Sequence, residues 1–103
     1  MDAPADWQNP ITMTPGIIQT NVDPLQLRPS RGDLTAKRSE IQRQLRLAGV
    51  ARFTPIVSSR EGVIIDGHHA VRAAAEEGRT IDVMVSNFVV PAQADSILDL
   101  PIR

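Results

Sequence analysis

The chain has 103 residues, no cysteine, 42% hydrophobic residues and a net charge of −1. That length holds one domain with a modest core, and the missing cysteines exclude a disulfide framework and thiolate chemistry. No apolar run reaches the roughly 18 residues a membrane helix needs, and Met1–Trp7 lacks the basic start of a signal peptide, so the sequence reads as a soluble cytoplasmic protein with no membrane partner.

Aromatic side chains are confined to Trp7, Phe53 and Phe88, so the core must rest on Ile, Val, Leu and Ala. The small net charge hides a pattern. Residues 26–52 carry seven basic and two acidic side chains, whereas the stretches on either side are each acidic by three charges. Such a block is commonly a solvated helix face. Its sharper meaning is a phosphate-facing patch for nucleic acid or nucleotide.

Residues 1–21 read as an N-terminal arm rich in Pro, Asp, Thr and Asn, with a short strand at Gly16–Gln19 and Trp7 as an anchor onto the core or a partner. Residues 22–90 read as the folded domain and 91–103 as a C-terminal tail. Two prolines in Val22–Pro29 exclude a regular helix and predict an extended lead-in. Leu34, Ile41, Leu45 and Ala48 are spaced by 7, 4 and 3, a helical stripe that Asp33 or Thr35 can cap and Gly49 can end. Ile56–Val57 and Val63–Ile65 read as strands joined by a hairpin turn at Ser58–Gly62. A second helix is predicted over Gly67–Glu77, its Ala70, Val71, Ala74 and Ala75 forming a small-residue face and Gly78 its end. Ile81–Val85 alternates as a strand buried on one face, and a short helix is expected near Ala92–Leu98.

The most informative stretch is Ile64-Ile65-Asp66-Gly67-His68-His69. A strand running through a glycine turn into a helix start gathers unpaired N–H groups and the positive end of the helix dipole, which together suit an anion. Asp66 reads most simply as the N-cap, accepting the amide of His68 or His69, and alternatively as a general base or metal-binding carboxylate. Adjacent histidines point about 100° apart on a helix, so one is expected to face the anion while the other packs or bonds toward the core. Near this helix end a neutral imidazole is favoured, suited to proton transfer or to donating to phosphate. Two adjacent histidines without cysteine do not make a structural zinc site, although Asp66 and a substrate phosphate can hold a hydrated Mg²⁺. Arg28 and Arg31, which precede the first helix, can close over the same anion or stand as solvated charge.

The ordered set Leu27-Arg28-Pro29-Ser30, helix, glycine, Pro-Ile-Val strand, turn, Val-Ile-Ile-Asp-Gly-His-His, alanine-rich helix, glycine and strand closely resembles the ParB/sulfiredoxin superfamily, in particular its ParB-like nuclease domains. The resemblance covers about Val22–Asn87. It implies an α+β fold with a small mixed β-sheet and two main helices, and a phosphate-binding site at Asp66–His69. One position departs from the pattern: Ala70 stands where the family often carries an arginine that faces phosphate, and Arg72 lies about 200° around the helix from it. Sulfiredoxin chemistry needs a cysteine, so it does not transfer. The leading expectation is a ParB-like domain that binds the phosphate of nucleic acid or nucleotide, with Gly67, His68, His69, Arg28 and Arg31 as ligands. Phosphodiester or nucleotide hydrolysis would then fall to His68, His69 and Asp66. The alternative is a non-catalytic binding or oligomerising domain, a homodimer for instance, that retains the fold.

Overall fold

The strict alternation of Ile81-Asp82-Val83-Met84-Val85 is realised in a strand of a mixed five-stranded sheet, with Ile81, Val83 and Val85 buried and Asp82 and Met84 exposed. The computed structural model describes residues 11–49 and 56–103. Trp7, Phe53 and Arg52, the last residue of the basic 26–52 block, lie outside them. The strands are β1 (Ile18–Val22), β2 (Arg28–Pro29), β3 (Ile56–Ser59), β4 (Val63–Asp66) and β5 (Ile81–Ser86), in the order β1-β5-β3-β4-β2. β1 pairs with β5, and β3 with β4, antiparallel; β3 with β5, and β2 with β4, run parallel. Two α-helices, α1 (Ala36–Leu47) and α2 (His68–Glu77), complete a small α+β domain.

Helix α2 places Val71 and Ala74, neither of them exposed, in the core with Leu27, Leu34, Ile64, Val83 and Ile97, and Gly78 ends it in the left-handed region at φ 70°. Small side chains on this face let the helix lie close to the sheet, as their spacing predicts.

Other expectations need correction. The first strand is Ile18–Val22 rather than Gly16–Gln19, because Gly16 has φ +89° and belongs to a turn. The proline-rich lead-in is not wholly extended. Pro24–Gln26 forms a 3-10 turn capped by the Asp23 carboxylate, with Pro24 at a position where its missing N–H costs nothing. Leu34 is not part of the first helix; it is fully buried in a parallel bridge to Ile102, and Thr35 supplies the cap, its hydroxyl accepting from the Arg38 amide at 3.3 Å. The rest of the expected stripe, Ile41 and Leu45, remains substantially exposed. In the hairpin, Ser58 and Ser59 belong to β3, and the turn closes from Ser59 to Gly62. No α-helix forms near Ala92–Leu98, where a 3-10 turn spans Ile97–Asp99. The C-terminal residues are nonetheless part of the core, through buried Ile97 and Leu100.

Two glycines are required by backbone conformation. Gly62 (φ +82°) closes the β3–β4 turn with Ile11 packed where a Cβ would stand, and Gly67 (φ +95°) turns β4 into α2. Gly62→Ala and Gly67→Ala should each lower stability by about 1 kcal/mol or more. Gly32→Ala, at an open position with no positive φ, should stay within about 0.5 kcal/mol of the parent. Denaturant midpoints of the three variants check this ordering.

Candidate functional site

Asp66 ends β4, and Gly67 is the N-cap of α2, at φ 95° and ψ 23°, with no side chain capping the helix. The expected Asp66 cap is therefore not made. The left-handed residue between them carries the exposed Asp66 carboxylate clear of the first-turn amides, onto the wall of an open cavity. An α-helix leaves its first N–H groups without intrahelical partners, and here no side chain caps them.

The histidines occupy the first two positions of α2, and both are largely buried (7% and 8% exposed). His68 Nε2 accepts the Ser30 N–H at 3.0 Å, and His69 Nε2 accepts the Thr35 N–H at 3.0 Å. The Ser30 and Thr35 hydroxyls lie 3.4 Å from the same nitrogens. Divergence of adjacent residues around a helix thus lets two neighbours grip one segment at points five residues apart. Both rings hold backbone, where bonding of only one was expected, and both also line the cavity described below.

An Nε2 that accepts from an amide carries no proton, so each ring is the neutral tautomer protonated at Nδ1. Burial and the Arg31 charge reinforce this state. Burial, then Arg31 and His69, push His68 down to about 4 against a partial offset from Asp66. His69 is lowered by burial and by the Arg31 and Arg38 guanidinium groups.

The cavity has a volume of about 810 Å³ and is walled by the Ser30–Asp33 segment, the start of α1 and the start of α2. Clefts of roughly 300–1,000 Å³ hold small-molecule ligands. Arg31, Lys37 and Arg38 line it against the carboxylates Asp33 and Asp66, with Ile41, Gln42 and Ile65 adding a less charged side. Arg31 is 3.6 Å from Asp33. Of the predicted site residues, Asp66, Gly67, His68, His69 and Arg31 come together here. Arg28 does not: it pairs in register with Val63 at the other end of β4, and its Nη2 donates to the Glu61 carbonyl at 3.4 Å. Arg72, near the Ala70 position, also stays outside the cavity lining.

Lys37 and Arg38 were legible only as members of the basic block. The sharper signal is their position. They stand in the first turn of α1, which has no acidic residue, although a helix start ordinarily disfavours cations. Among the described residues, no group of three or more His, Cys, Asp or Glu is placed to hold a metal ion. Asp33 and Asp66 are the carboxylates that a hydrated cation could meet in company with a ligand phosphate. No helix among them is long and apolar enough to cross a membrane. No protein-family model, no curated protein and no solved structure matches this chain.

Three outcomes follow from this geometry. His68→Ala and His69→Ala should each destabilise by about 1–3 kcal/mol, because each leaves an amide of a part-buried segment without its acceptor. Asp66→Ala, which removes no cap, should change stability by less than about 0.5 kcal/mol. Stability should also depend on pH. Since His68 binds a proton less readily folded than unfolded, its contribution is complete above pH 6.5 and is lost as pH falls from there toward about 4. The loss reaches about 3 kcal/mol at most. Chemical denaturation of the parent between pH 7 and 4, repeated on His68→Ala, isolates this contribution; an equal slope in both proteins would assign the dependence to other groups.

Proposed function

We propose that the chain is a phosphate-binding domain of the ParB/sulfiredoxin kind that its sequence resembles, and that its ligand is the phosphate of a nucleotide or nucleic acid. The observation that carries this reading is the convergence of an uncapped helix start with Arg31, Lys37 and Arg38 in one 810 Å³ cavity. Backbone donors at a helix start, the dipole and nearby cations all favour an anion. A cavity of this size has room for more than a bare phosphate.

The state of the histidines supports binding rather than hydrolysis. A general base needs a free ring nitrogen without a proton. Both Nε2 atoms are already taken by amides, and both Nδ1 atoms carry protons. The rings can donate to an anion but have no lone pair with which to take a proton from water. This favours the non-catalytic alternative for the same cavity, and Ala70 in place of arginine points the same way.

Thermal denaturation with inorganic phosphate, a set of nucleoside phosphates and short single-stranded DNA and RNA, with Mg²⁺ or EDTA, tests the proposal. A ligand bound only by the folded state raises the melting temperature as it saturates. Arg31→Gln and Arg38→Gln should each weaken binding and flatten its salt dependence by about one phosphate contact. Arg79→Gln, remote from the cavity and paired with Glu77, should do neither. If no anion shifts the melting temperature, the reading fails. Turnover lost in His69→Ala while the variant remains folded would restore the hydrolytic role.

A further inference from the structure

The C-terminal residues run beside the segment that forms one cavity wall. Gln93 N–H donates to the Pro29 carbonyl at 2.8 Å, Leu34 N–H to Pro101 at 2.9 Å, Arg103 N–H to Leu34 at 2.8 Å and Ala36 N–H to Arg103 at 2.9 Å. With the parallel Leu34–Ile102 bridge, these bonds lay residues 93–103 as a strap along residues 29–36. Successive N–H groups of an extended chain point to opposite sides. Here they divide accordingly: Leu34 and Ala36 donate to the strap, and Thr35 between them donates to His69. The wall is held between a ring on one side and the strap on the other.

Arg72 holds the middle of that strap. Its Nη1 donates to the Ile97 carbonyl at 3.3 Å and the Leu100 carbonyl at 2.8 Å, and its Nε pairs with Glu76 at 2.9 Å. The side chain is only 16% exposed. At the strap's end Arg103 lies 3.6 Å from Asp33, the carboxylate that also meets Arg31.

We propose that Arg72 is a positioning residue for the anion cavity: by fastening residues 93–103 it sets the place of the Ser30–Ala36 wall and of Arg31, so that loosening the strap lowers affinity for anions. This rests on the reading of the cavity as an anion site. Arg72 is not among the residues that line the cavity, and its side-chain hydrogen bonds go to Ile97, Leu100 and Glu76, so its effect passes through the strap.

The test uses the full chain with inorganic phosphate as probe, and compares the parent with Arg72→Gln, Arg72→Lys and Val22→Ala. Val22 is a buried residue of β1 paired with Ile81, outside residues 93–103 and making none of their hydrogen bonds to the wall, and its truncation lowers stability. Two quantities are read: phosphate affinity and amide hydrogen exchange at Leu34, Thr35 and Ala36. Arg72→Gln should weaken phosphate binding and speed exchange at these amides by about tenfold or more, the scale of a lost charge-assisted hydrogen bond. Arg72→Lys should recover part of both, and Val22→Ala should leave the affinity unchanged. Parent-like affinity in Arg72→Gln, with phosphate bound by the parent, overturns the positioning role and leaves the anion site standing. Failure of the parent to bind phosphate overturns the anion site and the positioning role together, and exchange then reports a purely structural strap. Should Arg72→Gln not fold, Arg72→Lys is read by the same criteria, with effects no larger than those of Val22→Ala overturning the proposal.

Discussion

Two backbone amides, those of Ser30 and Thr35, find their acceptors on imidazole nitrogens of the next helix. This works only while both rings are neutral. A protonated Nε2 would set donor against donor and leave a part-buried amide unsatisfied, at a cost of about 1–3 kcal/mol each. Burial and the Arg31 charge already disfavour protonation of both rings, so the charges around the cavity and the hydrogen bonds of its wall require the same state. On the side of the wall that faces α2, the site takes its geometry from this pair of bonds. They fix the Ser30–Thr35 segment, hence Arg31 within it and Thr35 as the cap of α1.

Helix electrostatics are the basis for proposing an anion as the ligand of this cavity. Thr35 caps the Arg38 amide, and the Arg103 carbonyl takes the Ala36 amide, so α1 spends its first donors on the protein itself. Helix α2 begins on a bare glycine. Lys37 and Arg38 face an unfavourable dipole at the start of α1, and an anion beside them would relieve that repulsion. That relief is the physical ground on which binding is proposed over a solvated face.

Much of the fold was legible because local rules acted alone. The alternation in Ile81–Val85, the small-residue face of Ala70–Ala75 and the terminating Gly78 each announce their element. The cation cluster and the histidine pair were visible too, but their partners were not. Asp66 looked like a cap because its spacing allows it; the backbone of Gly67, free to take a positive φ, moved the cap one residue on. Leu34 fitted a helical stripe, yet its place was decided by Ile102, 68 positions away. The bonds from Ser30 to His68 and Thr35 to His69 join residues more than 30 positions apart, and no periodicity records such a contact. Arg28 and Arg31 stand three residues apart and read alike, but β2 pairing carries Arg28 to one end of β4 while the following loop carries Arg31 to the other.

The state of the two imidazoles can be observed directly. A long-range ¹H–¹⁵N correlation spectrum of the histidine rings, recorded from pH 7.5 downward, distinguishes the tautomers and follows their titration. At neutral pH both rings should show a protonated Nδ1 and an unprotonated, hydrogen-bond-accepting Nε2, with His68 resisting protonation until about pH 4 and His69 titrating below its ordinary range. A proton on Nε2 of either ring at pH 7, or His68 titrating near 6.5, would contradict the arrangement on which the cavity wall depends.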